Sequence, residues 1–174
     1  MAHVVFLKGA NVGGNNVFRP KLFAESLSHL DVLNVGAAGT FVVRAKTTSS
    51  AIRRDFLAKL PFQPVIALAS ASEITEFIRS APFGARPRAK GVRWWVGVLA
   101  GKPKEKPRFP IATPVGRAWS VRVDGIQGSF AFGHWRRQPG GFVIPNIVVE
   151  KAVGVPVTVR WWETFERIAK ALES

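Results

Sequence analysis

The segment Leu7-Lys8-Gly9-Ala10-Asn11-Val12-Gly13-Gly14-Asn15-Asn16 holds the residues best suited to chemistry on a ligand. Glycine tolerates positive φ and carries no Cβ, and asparagine tolerates the left-handed region, so successive N–H groups in such a loop can line an anion-attracting hollow. A phosphate-binding P-loop needs a lysine and a hydroxyl after its last glycine, and Asn15-Asn16-Val17 stands there instead. The spacing of Gly9, Gly13 and Gly14 also misses the dinucleotide fingerprint. What remains is a backbone nest near a helix N-terminus, with Lys8, Gly9, Asn11, Gly13, Gly14 and Asn16 as candidate ligand contacts. The structural counterpart is a loop whose glycines only permit close packing.

Other chemistry is sparse. His3, His29 and His134 are far apart and read as surface or strand histidines. No His or carboxylate spacing suggests a metal, no Gly-x-Ser-x-Gly elbow exposes a serine nucleophile, and no cofactor is implied. Glu150 beside Lys151 reads as a solvated or salt-bridged pair on a helix. Cations alternate with planar rings in Arg93-Trp94-Trp95, Trp119 with Arg122, His134-Trp135-Arg136-Arg137 and Arg160-Trp161-Trp162. Arg93, Arg122, Trp135, Arg136 and Arg137 are therefore candidates for single-stranded nucleic acid, by charge and stacking. Strand alternation limits that reading, because Trp94 and Trp95 must face opposite sides and one of them belongs to the core.

The 174 residues carry a net charge of +14, unevenly spread. Between Arg86 and Arg137 twelve Lys and Arg stand against Glu105 and Asp124, a net +10, leaving +4 for the rest. Such a field attracts nucleic acid or anionic metabolites, and it also keeps a protein in solution. Cysteine is absent, which excludes disulfides and thiolate chemistry and suits a reducing compartment. Met1 to Leu7 lacks a basic n-region and reads as a strand, no apolar run approaches membrane-spanning length, and a cytoplasmic protein is the default expectation.

These residues need a frame. Alternation over 3–8 predicts a strand, and Arg19-Pro20 opens a helix with Leu22, Phe23, Ser26, Leu27 and Leu30 at helical spacing. Strands Val32–Val35 and Thr40–Ala45 flank the tight Gly36-Ala37-Ala38-Gly39 connection, Ser49 or Ser50 caps a helix, and Pro64–Ala69 is a buried strand. The order βαββαβ implies a ferredoxin-like α+β unit over 1–69. A second, similar α+β unit is expected over 70–174, packed on the first or forming one domain with it. It opens with a Ser70…Glu73 capping box and continues with strands Val92–Ala100, Arg117–Val123 and Ile126–Phe132. Asp124-Gly125 reads as a two-residue hairpin, and Lys102–Pro107 as an exposed loop. Pro145-Asn146 starts a helix that Gly154 closes, before a strand Val155–Arg160 and a terminal helix Thr164–Leu172.

With those elements in place, the chain resembles the bacterial domain of unknown function 1697 family. That family's opening motif, Leu-Arg-Gly-Ile-Asn-Val-Gly-Gly-x-Asn, is closely matched by Leu7 to Asn16. Its later Pro-Asn, Ile-Glu-Lys, Leu-Gly-Val and Arg-Asn-Trp-x-Thr are met by Pro145-Asn146, Val149-Glu150-Lys151, Val153-Gly154-Val155 and Arg160-Trp161-Trp162-Glu163-Thr164. The resemblance implies the same α+β architecture and no established activity. It adds Asn146, Arg160 and Thr164 to the candidate ligand contacts. The family's Tyr-x-Gln-Ser-Gly-Asn becomes Val35-Gly36-Ala37-Ala38-Gly39-Thr40, which keeps the glycine and loses the polar side chains. The expectation is a binding protein for an anionic ligand, a nucleotide, phosphometabolite or single strand. The alternative is a small-molecule enzyme with its site between the opening loop and the C-terminal segment.

Overall fold

In a computed structural model, which describes residues 1–85, 88–141 and 143–174, the apolar run His3–Leu7 forms β1, with Val4 to Leu7 fully buried. A strand buried along nearly its whole length must lie inside a sheet, and β1 is central in the order β2-β3-β1-β4, all neighbours antiparallel. Its companions are β2 (Val32–Asn34), β3 (Thr40–Val43) and β4 (Ile66–Ser70). Helices α1 (Pro20–Ser26) and α2 (Ser49–Lys59) pack Phe23, Ile52 and Phe56, with Leu27 just past α1, on Val5, Leu7, Phe41 and Val43, and the expected continuation of α1 to Leu30 is instead a separate 3-10 turn, Ser28–Leu30. Pro20 occupies the first turn of α1, where its missing N–H leaves no bond unmade. The cap of α2 is Thr48, one residue before the serines expected; its Oγ1 accepts from Ala51 N at 3.2 Å.

Helix α3 (Ala71–Arg79) follows β4 directly because Ser70 and Glu73 close a capping box: Ser70 N donates to Glu73 Oε2 at 2.7 Å, and Glu73 N to Ser70 Oγ at 3.2 Å. The chain divides into two units, Met1–Thr75 with Glu166–Ser174, and Glu76–Phe165.

The second unit holds a five-stranded antiparallel sheet, β6-β7-β8-β5-β9, built from β5 (Val92–Leu99), β6 (Ile111–Thr113), β7 (Val121–Gln127), β8 (Phe130–Arg136) and β9 (Val157–Trp161). Four of its strands run consecutively, so it does not repeat the order of the first sheet. One face packs Trp95, Val121, Val123 and Ala131 against α4 (Pro145–Val153), which ends where Gly154 takes φ 72°. The other face carries an aromatic row in which Phe77, Phe130, Phe132, Phe165 and Trp162 touch edge to face or tilted. Helix α5 (Trp162–Glu173) starts directly from β9, two residues earlier than the periodicity indicated.

Two expectations about the second unit need correction. Asp124-Gly125 is no hairpin. Strand β7 runs through it with a β-bulge, since Val123 pairs Gly133 while Gly125 pairs Phe132, and the turn comes later, at Gly128-Ser129 between Gln127 and Phe130. The extra residue resets the alternation so that Val121, Val123 and then Ile126 all meet the core. Strand β6, short and lying in a proline-bounded segment, is defined by its pairing with β7 and had no periodic signature of its own. Arg86, which opens the basic stretch, lies outside the described residues.

Candidate functional site

The opening loop is stitched by its own asparagines. Asn11 Nδ2 donates to Ala37 O at 2.9 Å while its Oδ1 accepts from Phe18 N at 2.9 Å, and Asn16 Nδ2 donates to Gly9 O at 3.2 Å. Asn11 N reaches Asn16 O at 3.2 Å, and Asn15 N reaches Val12 O at 2.9 Å across a small bridge. Between them Gly13 and Gly14 both have positive φ, 56° and 77°, as the two central residues of a primed hairpin turn require. A Cβ on either would meet nothing within 4 Å, so the turn's backbone torsions account for these glycines and crowding does not. Helix α1 starts four residues beyond Asn16 and is only seven residues long. Lys8 N donates to Val65 O at 3.0 Å. Close approach is real at Gly39, where a Cβ would lie 2.9 Å from both the Leu7 and Ala10 Cβ atoms.

Asn146, Arg160 and Thr164 belong to the second unit. Asn146 is the second residue of α4, and Thr164 is buried in the first turn of α5. Arg160 pairs with Val96 in the sheet and its Nη1 donates to Val159 O at 2.9 Å; burial pulls its guanidinium down to about 10, which leaves it charged at neutral pH. Glu150 has a structural duty, accepting from Val157 N at 2.9 Å and so tying α4 to the start of β9.

The cation and aromatic residues are largely packed on one another. Arg93 lies 3.7 Å over the Trp161 ring and 3.7 Å from Glu163, whose other oxygen accepts from Arg88 Nη1 at 2.7 Å. Partial burial pushes the Glu163 carboxyl up, but the Arg88 hydrogen bond, one from its own backbone N–H and the charges of Arg93 and Arg88 together outweigh it and hold the group below the usual range. Arg136 lies 4.0 Å over Trp119 and donates to the carbonyls of Trp119 and Arg117. Trp135 Nε1 donates to Val143 O at 3.1 Å, Trp94 stacks on Phe83 at 4.7 Å, Trp162 stacks on Phe165, and Trp95 is fully buried. Each of the six indoles thus has protein against it. In contrast, Lys90, Lys102, Lys104, Lys106, Arg108, Arg117 and Arg137 are exposed, and none forms an ion pair among the described residues.

Sequence reading missed one constellation. The bulge in β7 sets Asp124 beside Arg122, and Arg122 is paired with His134 on β8. Asp124 Oδ2 lies 2.6 Å from His134 Nδ1, and its Oδ1 accepts from Arg122 Nε at 2.7 Å. Burial alone would raise the Asp124 carboxyl; the hydrogen bonds from His134 and Arg122 overcome it and hold the group below the usual carboxylate range. The imidazole meets Phe83 at 5.7 Å and Trp94 at 6.4 Å, both edge to face. The available signal was an Asp-Gly followed by too few residues to close a hairpin in phase with Val123 and Ile126. No cluster of three or more His, Asp or Glu able to hold a metal occurs among the described residues, and none of their helices is long and apolar enough to cross a membrane.

No family model matches the chain, and no curated protein matches it. Among solved structures it is similar to the conserved bacterial protein SP0830 from Streptococcus pneumoniae, with a TM-score of 0.61 and 15% identity over 97% of each chain. A likeness at that identity shows the α+β fold alone.

Proposed function

We propose that this protein binds a small anionic ligand, a phosphate-bearing metabolite or nucleotide, through its second unit. The observation that carries the reading is the set of seven exposed cations between Lys90 and Arg137 that form no ion pair among the described residues. By sequence the second unit has fifteen Lys and Arg against five Asp and Glu, a net +10, and three of those acids are already engaged by Arg88, Arg122 and the Val157 amide. A surplus of this kind concentrates anions at the surface. The occupied indoles speak for a small anion and against a base-stacking strand. Arg160 and Asn146 add a charged and a polar group on the same unit.

The Leu7–Asn16 and Arg160–Thr164 motifs support membership of the domain of unknown function 1697 family, and the order β2-β3-β1-β4 with two helices packed on the same core supports a ferredoxin-like first unit. A cytoplasmic setting accords with the absence of cysteine. A thermal-shift screen of nucleotides, phosphosugars and short oligonucleotides tests the functional reading. A ligand at about a hundred times its Kd adds about 2.7 kcal/mol of stability, which such a screen detects. Stabilisation by phosphate-bearing small molecules is expected, and no response to any anion overturns the reading.

A further inference from the structure

We infer that His134 is a proton acceptor, held in its working tautomer by Asp124, for a small anionic molecule that presents a hydroxyl. At 2.6 Å from an ionised carboxylate, Nδ1 must carry the proton. Arg122 Nη2, 3.3 Å from Nδ1, is then a neighbour and no donor to it. With the proton on Nδ1, the lone pair of neutral imidazole is on Nε2. Nε2 makes no hydrogen bond among the described residues, and the imidazole side chain keeps 20% of its surface exposed. The carboxylate is itself immobilised, because Arg122 Nε takes its second oxygen at 2.7 Å. The inserted residue of a β-bulge supplies it, a device that re-aims a side chain.

The proton transfer is simple. The ligand O–H bond breaks, an Nε2–H bond forms, the imidazolium faces the Asp124 carboxylate, and the ligand is left as an oxyanion. His134 would be the group touching the ligand and Asp124 a positioning residue. Phe83 and Trp94, stacked on each other, both meet the imidazole edge to face and hold its plane. The negative charge of the ligand rests on the anion-binding reading of the same unit.

Reaction of His134 with diethyl pyrocarbonate, followed by peptide mass at pH 7.5 (about one unit above the ordinary imidazole pKa), tests the inference, with salicylate as the anionic, hydroxyl-bearing probe. Nε2 should be modified, and saturating salicylate should slow it. In Asp124→Asn the amide oxygen stays on Arg122 and the amide NH2 turns to Nδ1. That forces the Nε2–H tautomer and slows modification by about ten-fold or more. Long-range ¹H–¹⁵N spectra should show the same exchange of tautomer, with far-UV dichroism unchanged. An unreactive His134 in the native protein, no protection by salicylate, or an unchanged tautomer in Asp124→Asn each overturns the inference. Anion binding at Lys102, Lys104 and Lys106 is measured separately, so either reading can fail without the other.

Discussion

Gly133 is the position where one methyl group should do the most damage. A Cβ built there lies 1.9 Å from the Arg122 carbonyl oxygen and 2.8 Å from Cζ2 of the fully buried Trp95. The nearer obstacle is backbone, so no rotamer change relieves it; β7 and β8 must part by more than about 1 Å to restore ordinary contact. The parting falls at the Val123–Gly133 pair, immediately before the bulge, and opens the core under Trp95. Overpacking costs about 1–3 kcal/mol, and a backbone clash in a sheet centre belongs at the upper end, about 3 kcal/mol. For a chain of this size that lowers Tm by about 6–12 °C. Gly97→Ala is the comparison, since its Cβ meets a side-chain atom, Val157 Cγ1 at 2.6 Å, and should cost less. Urea denaturation followed by tryptophan fluorescence measures both. A Gly133→Ala variant within about 0.5 kcal/mol of the native protein, or one more stable than Gly97→Ala, would refute the reasoning.

Asn11→Ala removes two hydrogen bonds of the opening loop and should cost about 1–3 kcal/mol in the same assay, whereas Gly13→Ala, with open space for its Cβ, should cost only the about 1–2 kcal/mol of left-handed backbone. A loss below about 0.5 kcal/mol in Asn11→Ala would show that the loop is not held as described. Asp124 has a depressed folded pKa, so its contribution is fully present above its unfolded value of about 3.9 and disappears as pH falls through the folded value. Asp124→Asn should therefore flatten part of the stability loss below about pH 4; an unchanged acid limb, measured by denaturation between about pH 2 and 6, contradicts the assignment.

Much of the first unit was legible because its signals are local. Pro20 at a helix start, the reciprocal Ser70 and Glu73 cap, and the Gly36 to Gly39 connection each act within a few residues, and each is where its chemistry indicated. The second unit hid what depends on pairing. Asp-Gly serves a hairpin and a bulge equally well, and only the demand that Val123 and Ile126 both face the core selects the bulge. The candidate site suffered the same way: Asp124 and His134, ten residues apart, become a pair only through the register of β7 on β8. The glycines of the opening loop were legible as positive-φ residues, but their use in a turn was not, because it depends on the Val12–Asn15 bridge.

The central claim is that the exposed cations of the second unit hold an anionic ligand. Calorimetric titration of inorganic triphosphate at about 50 and 200 mM KCl, into the native protein and a Lys102→Glu, Lys104→Glu, Lys106→Glu variant, tests it most directly. Saturable binding that weakens at the higher salt and is lost in the variant is the predicted result. Absence of binding at the lower salt, or binding that neither salt nor the three substitutions alters, would contradict it.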